Sequence, residues 1–264
     1  MFSFSKFFLA SSIEEAYSEL VKNKKNIILG GTSYLRMGNT AWNVAIDLSN
    51  LNLNYILEDE ETISIGAMTT FRNLETNSLL KEYFGDIFKT ALKDIIGVQF
   101  RSNVTVGATV FSKYGFSDLI PVLLSLNAKI KLFNGGVLAL EDFLNEKEIR
   151  KDILVEIIIP KKISKTSFQC VRKSKTDYSI VNLAISYSES KITIAVGSRP
   201  GKAMLAQKTM NILNNSENIE KDIINAIKYI GDEIPLDSNM RGSKTYRELL
   251  LTALLKKGIQ EVLN

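Results

Sequence analysis

The 264 residues contain no histidine, one cysteine, four prolines and one tryptophan. Without histidine the chain lacks the side chain most used as a general base near neutral pH, and the commonest metal ligand. The lone thiol, Cys170, cannot form a disulfide within the chain, nor by itself hold an iron–sulfur cluster or a structural zinc. Redox chemistry would therefore need an organic cofactor, with any metal centres on another chain. Cys170 sits in an apolar, strand-like run, Phe168-Gln169-Cys170-Val171, where a buried, inert thiol is expected. No apolar run reaches the length of a membrane span. The opening Phe2 to Ala10 has no basic leader segment before Glu14-Glu15; a secretory leader is not expected and a cytoplasmic location is. The two common nucleotide motifs, G-x-G-x-x-G and G-x-x-x-x-G-K-[ST], are both absent.

What is present is ordinary in bulk: 45% hydrophobic residues, 23% charged, and a net charge of +4. Lys161-Lys162 and Arg172-Lys173-Ser174-Lys175 are the local basic clusters. No RNA-binding aromatic motif accompanies them, so they read as solvated surface and no nucleic-acid partner is expected. Two glycine-bearing loops stand out, Gly30-Gly31-Thr32-Ser33-Tyr34 and Thr105-Val106-Gly107-Ala108-Thr109, each read as closing an apolar β-type run. The second precedes Ser117-Asp118. Glycine permits φ > 0 and close approach of a phosphate, while adjacent amides and hydroxyls offer donors. The pair reads as two jaws facing one cleft for a phosphate-bearing ligand such as a dinucleotide.

Periodicity predicts a helix over Ile13 to Asn23 capped by Ser11 or Ser12, then strands over Asn26 to Leu29 and Ala41 to Leu48, and two more within Asn54 to Ile65. Helices are expected over Phe71 to Leu80 and Phe84 to Ile95, and strand and turn over Val98 to Val110. A helix over Asp118 to Leu126 is capped by Ser117 or Asp118. Asn127 to Phe133 and Ile153 to Ile159 read as strands, with a domain boundary near Pro160 to Lys165. Beyond it Thr166 to Val171, Ile180 to Ser188 and Lys191 to Val196 form a meander. Helices follow over Lys202 to Leu213 and Ile219 to Tyr229. A terminal helix capped by Ser243 carries Tyr246, Leu249, Leu250, Ala253 and Leu254 on its apolar side.

The order of motifs along the whole chain resembles the flavin-binding subunit, or domain, of the molybdenum hydroxylases, typified by xanthine dehydrogenase and aerobic carbon monoxide dehydrogenase. The family's A-G-G-T-[DS]-[LY]-L is matched by Leu29 to Leu35, and its I-G-A-x-T-T by Ile65 to Thr70. Its Q-[IV]-R-N-x-[AG]-[TS]-[IV]-G-G-N corresponds to Gln99 to Thr109, and S-D-L-x-P-x-L-L-A-L to Ser117 to Leu126. Arg241-Gly242-Ser243-Lys244-Thr245-Tyr246-Arg247 adds a C-terminal match.

The resemblance implies an α+β (mixed α/β) fold. A two-subdomain FAD-binding unit, residues 1–55 and 56–163, precedes a C-terminal α+β domain, residues 164–264, with a small antiparallel sheet and helices. It implies FAD, with the pyrophosphate on the amides of Leu29, Gly30, Gly31, Thr32 and Ser33, flanked by Tyr34. Thr105, Gly107, Ala108, Thr109 and Ser112 then serve the adenosine side and phosphates, and the Asp118 carboxylate suits ribose hydroxyls. Leu154 joins the cofactor set. A basic side chain near the flavin falls to Arg172, with Gln169 or Lys173 as alternatives. No side chain is assigned as catalytic and no metal is expected on this chain. Electrons would come from an iron–sulfur subunit and leave through FAD to NAD⁺ or another acceptor. Hydroxylation of a purine or related heterocycle would occur on a molybdopterin-binding subunit.

Ala108 and Thr109 replace the glycine and asparagine of G-G-N, and Lys113-Tyr114-Gly115 replaces A-S-P. A methyl at Ala108 narrows backbone access, and loss of the asparagine amide removes a two-sided hydrogen-bonding group. These departures raise an alternative, a non-catalytic assembly or scaffold homologue with a degenerate flavin site.

Overall fold

β1 (Ser3–Leu9), α1 (Ile13–Lys22), β2 (Ile27–Leu29) and β3 (Ala41–Asp47) build a parallel three-stranded sheet in the order β1-β3-β2. The computed structural model describes residues 2–148 and 150–264, apart from the Glu220 side chain. Met1 and Ile149, in the first and second expected domains, lie outside them. β1 was not expected as a strand, because its run of phenylalanines does not alternate and most of it faces solvent. Ser12 caps α1, accepting from the Glu15 amide. Ala16 and Leu20 of α1 pack with Val44, Ile46 and Leu48 in a small core of their own.

The chain continues through β4 (Ile56–Glu58) and β5 (Thr62–Gly66) into six short helices. They are α2 (Phe71–Thr76), α3 (Ser78–Phe84), α4 (Ile87–Leu92), α5 (Val98–Arg101), α6 (Val106–Phe111) and α7 (Leu119–Ser125). Then come β6 (Lys129–Leu132), β7 (Gly136–Ala139), α8 (Leu140–Asn145) and β8 (Leu154–Pro160). The sheet is antiparallel, in the order β4-β5-β8-β6-β7. Asn77 separates α2 from α3 and caps the latter by accepting from the Leu80 amide. Of the two residues expected to cap α7, it is Ser117 whose hydroxyl accepts, from the Ile120 amide.

Of the strand and turn expected over Val98 to Val110, the turn is present but the strand is reduced to one bridge, Thr105 with Thr70, between the helices α5 and α6. Val104-Thr105-Val106 alternates like a strand, yet Val106 and Val110, four residues apart, both face the core, and Thr105 caps α6.

The last third holds β9 (Lys165–Arg172), β10 (Ser179–Ser188), β11 (Lys191–Gly197) and β12 (Met204–Leu205). It closes with α9 (Gln207–Asn214), α10 (Ile219–Glu233) and α11 (Lys244–Leu263). Its antiparallel sheet runs β12-β11-β10-β9. Glu189 and Ser190 turn with φ of 50° and 62°, both left-handed, as a two-residue hairpin between twisted strands requires. Two expectations are corrected. Met204 and Leu205 pair with β11 instead of starting a helix. And α11 buries Arg247, Leu251, Leu254, Leu255, Gly258, Ile259 and Val262, leaving Tyr246 and Leu249 exposed.

One buried charge cluster fixes the helices beside the site. Glu75 on α2 receives Arg101 in a bidentate pair with both bonds at 3.1 Å, and Arg72 at 3.1 Å. Arg101 also donates to the Ile95 carbonyl. Burial pushes the Glu75 carboxyl up, but the two guanidinium groups outweigh it and hold it below its ordinary value. A depressed carboxyl stabilises the fold above its unfolded pKa and loses that contribution as pH falls through the folded one. The thermal midpoint is therefore expected to drop as pH goes below about 4.3, and Glu75→Gln to flatten that part of the pH–stability profile in calorimetry.

Candidate functional site

Two cavities, of about 220 Å³ and about 430 Å³, lie on either side of the contact between the two glycine-bearing segments. They share Gly30, Ser33, Tyr34, Ala108, Ser112 and Tyr114, so the residues between them form a common waist. The first segment leaves β2 at Leu29 and reverses through Gly31 and Thr32, with φ of 70° and 56°. A Cβ on Gly31 would lie 1.7 Å from the Asn103 carbonyl oxygen, and one on Gly30 would lie 2.6 Å from the Ala108 methyl. The two segments therefore touch directly, and a ligand must cross over the contact, not pass between them. Among the described residues no protein acceptor takes the N–H of Gly31, Thr32, Ser33 or Tyr34. Four uncommitted donors in succession at a glycine turn suit an anion.

The second segment does not mirror the first. Val106 N donates to Thr69 O at 2.9 Å, Gly107 N to Ala67 O at 2.8 Å, and Thr109 N to Thr105 O at 3.2 Å. Ala108 N reaches the Thr105 hydroxyl at 3.4 Å. The reading of both loops as amide donors is corrected on this point: the amides of this segment are committed to the protein. Gly107 is needed because a Cβ there would meet the Ala67 Cβ at 2.7 Å. Toward the cavities the segment turns the Ala108 methyl and the Thr109 hydroxyl, which donates to the Thr105 carbonyl at 2.9 Å, and the Ser112 hydroxyl follows three residues on.

The larger cavity has an apolar floor, with Leu20, Ile28, Leu48, Trp42 and Leu154, and a basic edge at Lys24, Arg150 and Lys151. Leu29, Thr32, Thr105 and Gly107 also line it. Lys151 donates to the Asn26 carbonyl at 2.6 Å, and burial lowers its pKa. The smaller cavity is lined by Thr109, Asp118 and Arg172 together with Ile95, Phe116 and Tyr178. Of the three basic or polar candidates from β9 onward, Arg172 lines this cavity. Gln169 is buried elsewhere against Ser167 and Glu261, and Lys173 is exposed and bonded to the Met240 carbonyl.

Asp118 is fully engaged by protein. Arg172 donates to Oδ2 at 2.7 Å, Ser179 to Oδ1 at 2.7 Å and Asn182 to Oδ1 at 2.6 Å. The carboxylate thus holds Arg172 in place, and it lies by the smaller cavity, apart from Thr105 and Gly107. Burial opposes the Arg172 charge, but the Asp118 carboxylate outweighs it and raises the pKa. Arg172 Nε is buried without a hydrogen-bond partner, beside the Cys170 thiol. Cys170, beside this pair, has its thiol pKa raised by burial, the chemistry of an inert thiol.

Apart from Tyr34, sequence reasoning missed the aromatic wall. Tyr34 stacks on Phe116 at 5.1 Å between ring centroids, Tyr114 on Phe116 at 5.0 Å, and Tyr178 lies 4.6 Å from Phe116. The Tyr34 and Tyr178 hydroxyls hydrogen-bond each other across 144 positions of sequence. Burial first, then that bond, raise the Tyr34 phenol well above its ordinary pKa. Tyr114, Phe116 and Tyr178 stand in loops, without periodicity to mark them; the single tryptophan was the one compositional signal for Trp42.

Two lobes with apolar walls joined at a donor-rich waist suit an elongated ligand with two ring systems and an anionic middle. The larger lobe alone falls within the range of small-ligand pockets, about 300–1,000 Å³. Among the described residues no cluster of three or more metal-ligating side chains occurs, and no helix is long and apolar enough to cross a membrane.

Residues 2–162 match the family model described as the FAD binding domain in molybdopterin dehydrogenase, and residues 166–262 match the CO dehydrogenase flavoprotein C-terminal domain. The chain is 26% identical to the glyceraldehyde dehydrogenase medium chain of Sulfolobus acidocaldarius, over 96% of each. It is 27% identical to the nicotinate dehydrogenase FAD-subunit of Eubacterium barkeri, over 65% of this chain and 64% of the relative. Its fold superposes on a chain from the crystal structure of Cu,Mo-CO dehydrogenase with a TM-score of 0.88, at 20% identity, over 98% of this chain and 97% of that one.

Proposed function

The chain belongs to the family of FAD-binding domains of molybdopterin dehydrogenases, and on that premise we propose that it holds FAD across the two-lobed cleft as the flavin subunit of a molybdenum hydroxylase. The observation that carries this reading is the run of uncommitted amides from Gly31 to Tyr34 at the waist between two ring-sized lobes. The diphosphate takes these amides and the Thr32 hydroxyl. The adenine goes to the larger lobe, against Trp42, Ile28 and Leu154. The isoalloxazine would fit the smaller lobe, whose wall includes the Arg172 guanidinium and the Thr109 and Ser112 hydroxyls.

Bound there, FAD supplies an electron carrier able to exchange both single electrons and hydride. The chain's own work is to bind, orient and exclude water: Ile95, Phe116 and the tyrosines wall the ring site, and Asp118 keeps Arg172 charged and fixed. No side chain needs to move a proton, which suits a chain without histidine. Electrons arrive from an iron–sulfur subunit, and hydroxylation takes place on a molybdopterin-binding subunit. The relatives are named for glyceraldehyde, nicotinate and carbon monoxide, so a purine is one substrate class among several.

The test is the visible spectrum and FAD content of the chain, purified alone and in its assembled complex. About one flavin per chain in the complex supports the reading. A stable complex that takes up no FAD contradicts it and favours the scaffold alternative. NADH-driven dye reduction tests NAD⁺ as the acceptor; its failure in a complex that still reduces dye with substrate assigns another acceptor. Since the Ala108 methyl packs on Gly30 at the waist, Ala108→Gly is expected to tighten FAD binding several-fold in a titration, while lowering stability by about 0.5–1 kcal/mol.

A further inference from the structure

We propose that the cleft between α2, α3 and α4 is a second ligand site, for a small anion with several charged oxygens, a phosphate ester or a dicarboxylate. It encloses about 410 Å³, within the range of small-ligand pockets. None of the residues lining it lines either lobe described above, and α2 is the partition: Phe71 faces the smaller lobe, while Arg72 and Glu75 face the cleft. Its existence does not depend on what those lobes hold.

The cleft carries more positive charge than its carboxylates can meet. Glu75 is already engaged by Arg101, which bonds both of its carboxylate oxygens. Arg72 brings a second guanidinium to the same carboxylate through Nη1. One carboxylate cannot neutralise two guanidinium groups, so the three together leave a net positive charge beside the cleft. The Arg72 side chain is 43% exposed, against 6% for Glu75, so the guanidinium stands on the open side. Lys81 of α3 lies 3.4 Å from Asp86, and these two cancel. Lys89 lines the cleft from α4, and no carboxylate among the described residues lies within ion-pair distance of it. Glu82, the other acidic residue of α3, does not line the cleft.

The uncommitted donors suit an oxyanion. Because the bond from Arg72 to Glu75 uses Nη1, its Nε and Nη2 are left without an acceptor among the described residues. Those two N–H groups share one edge of the guanidinium, the edge that grips a carboxylate or a phosphate with two parallel bonds. The Ser78 hydroxyl lines the same cleft and is also free of protein partners among the described residues. Its polar neighbours are not: Thr76 donates to the Arg72 carbonyl, and Asn77 accepts from the Leu80 amide. Cations from two separate helices, Arg72 on α2 and Lys89 on α4, favour a ligand whose charge sits at both ends or spreads over several oxygens. A lone chloride would meet only one of them. Leu80 and Phe88, both buried, close the floor and suit a short carbon skeleton between the charges.

The experiment titrates the full chain, in its assembled complex, with glycerol phosphate and with succinate. Ionic strength is held constant with sodium chloride, and binding heat and thermal midpoint are read. Saturable binding with a rise in midpoint is expected from at least one probe, and which one binds tells a phosphate ester from a dicarboxylate. Arg72→Gln and Lys89→Glu should each weaken binding at least about tenfold, the worth of one charged hydrogen bond. Lys129→Glu makes the same change of charge on β6, outside the cleft, and should leave binding unchanged. Lys89→Glu keeps the test decisive if Arg72→Gln loosens α2, because Lys89 pairs with no other charge. No saturable binding by either probe, wild-type affinity in both cleft variants, or equal weakening by Lys129→Glu overturns the site. So does displacement of the probe by added FAD, which places the anion on the amides of Gly31 to Tyr34 instead. A chain that binds the probe with this dependence on Arg72 and Lys89 but takes up no FAD keeps this site and sinks the flavin reading.

Discussion

Gly31→Val is expected to weaken FAD binding by at least about a hundredfold, or ~3 kcal/mol. The residue has φ of 70°, and its added Cβ would meet the Asn103 carbonyl oxygen at 1.7 Å and the Asn103 carbonyl carbon at 2.7 Å. Both are backbone atoms at the end of α5, which Arg101 pins to Glu75 and Ile95, so the neighbour cannot swing aside as a flexible side chain would. The turn must lift away from the second segment, and the four amides leave the waist together. Gly136→Ala provides the control. Gly136 also has a positive φ, 68°, but open space around it. It should cost only the left-handed penalty, ~1–2 kcal/mol, with FAD affinity unchanged. Equal FAD loss in both variants would show that global destabilisation, not the waist, controls cofactor binding.

Asp118→Ala is expected to be the most destabilising single change at the site, by about 3–5 kcal/mol. It strips one buried carboxylate from Arg172, Ser179 and Asn182 at once and leaves an unpaired guanidinium inside. Replacing both charges with apolar groups of similar volume, Asp118→Leu with Arg172→Met, should restore part of the stability: the desolvation cost of both ions disappears, while Ser179 and Asn182 still lose their acceptor. It should not restore FAD affinity, because the guanidinium that lines the smaller lobe is gone. Denaturant midpoints and FAD titrations on the three proteins separate the two roles. A double variant with wild-type affinity would remove Arg172 from the cofactor site, and an Asp118→Ala cost under about 1 kcal/mol would contradict the buried pair.

The first glycine loop was legible because a strand followed by two glycines and a hydroxyl pair has few uses, and the turn at Gly31 and Thr32 needs what glycine provides. The second was half legible. Its β-branched run carries a strand's alternation, while the fate of its amides is set by the Ala67 and Thr69 carbonyls, some forty positions earlier in the chain. α11 shows the same limit. Tyr246, Leu249, Leu250 and Ala253 form one apolar face and Leu251, Leu254, Leu255 and Gly258 another, and only the neighbours decide. β10, Asp237, Asn239 and Gly242 satisfy the buried Arg247, so the helix turns its charged residue inward and Leu249 outward. The resemblance to the flavoprotein family named some residues that line each lobe, Leu154 in the larger and Arg172 in the smaller, but not Trp42, Phe116 or Tyr178, nor the partition. That Asp118 serves Arg172 follows from pairing across β10, which no spacing along the chain reveals.

The most direct test is the position of FAD in crystals of the complex. The diphosphate should lie on the amides of Gly31 to Tyr34, with adenine beside Trp42 and Leu154 and the isoalloxazine beside Arg172 and Tyr178. Diphosphate bound anywhere else, or both ring systems outside the two lobes, would contradict the account.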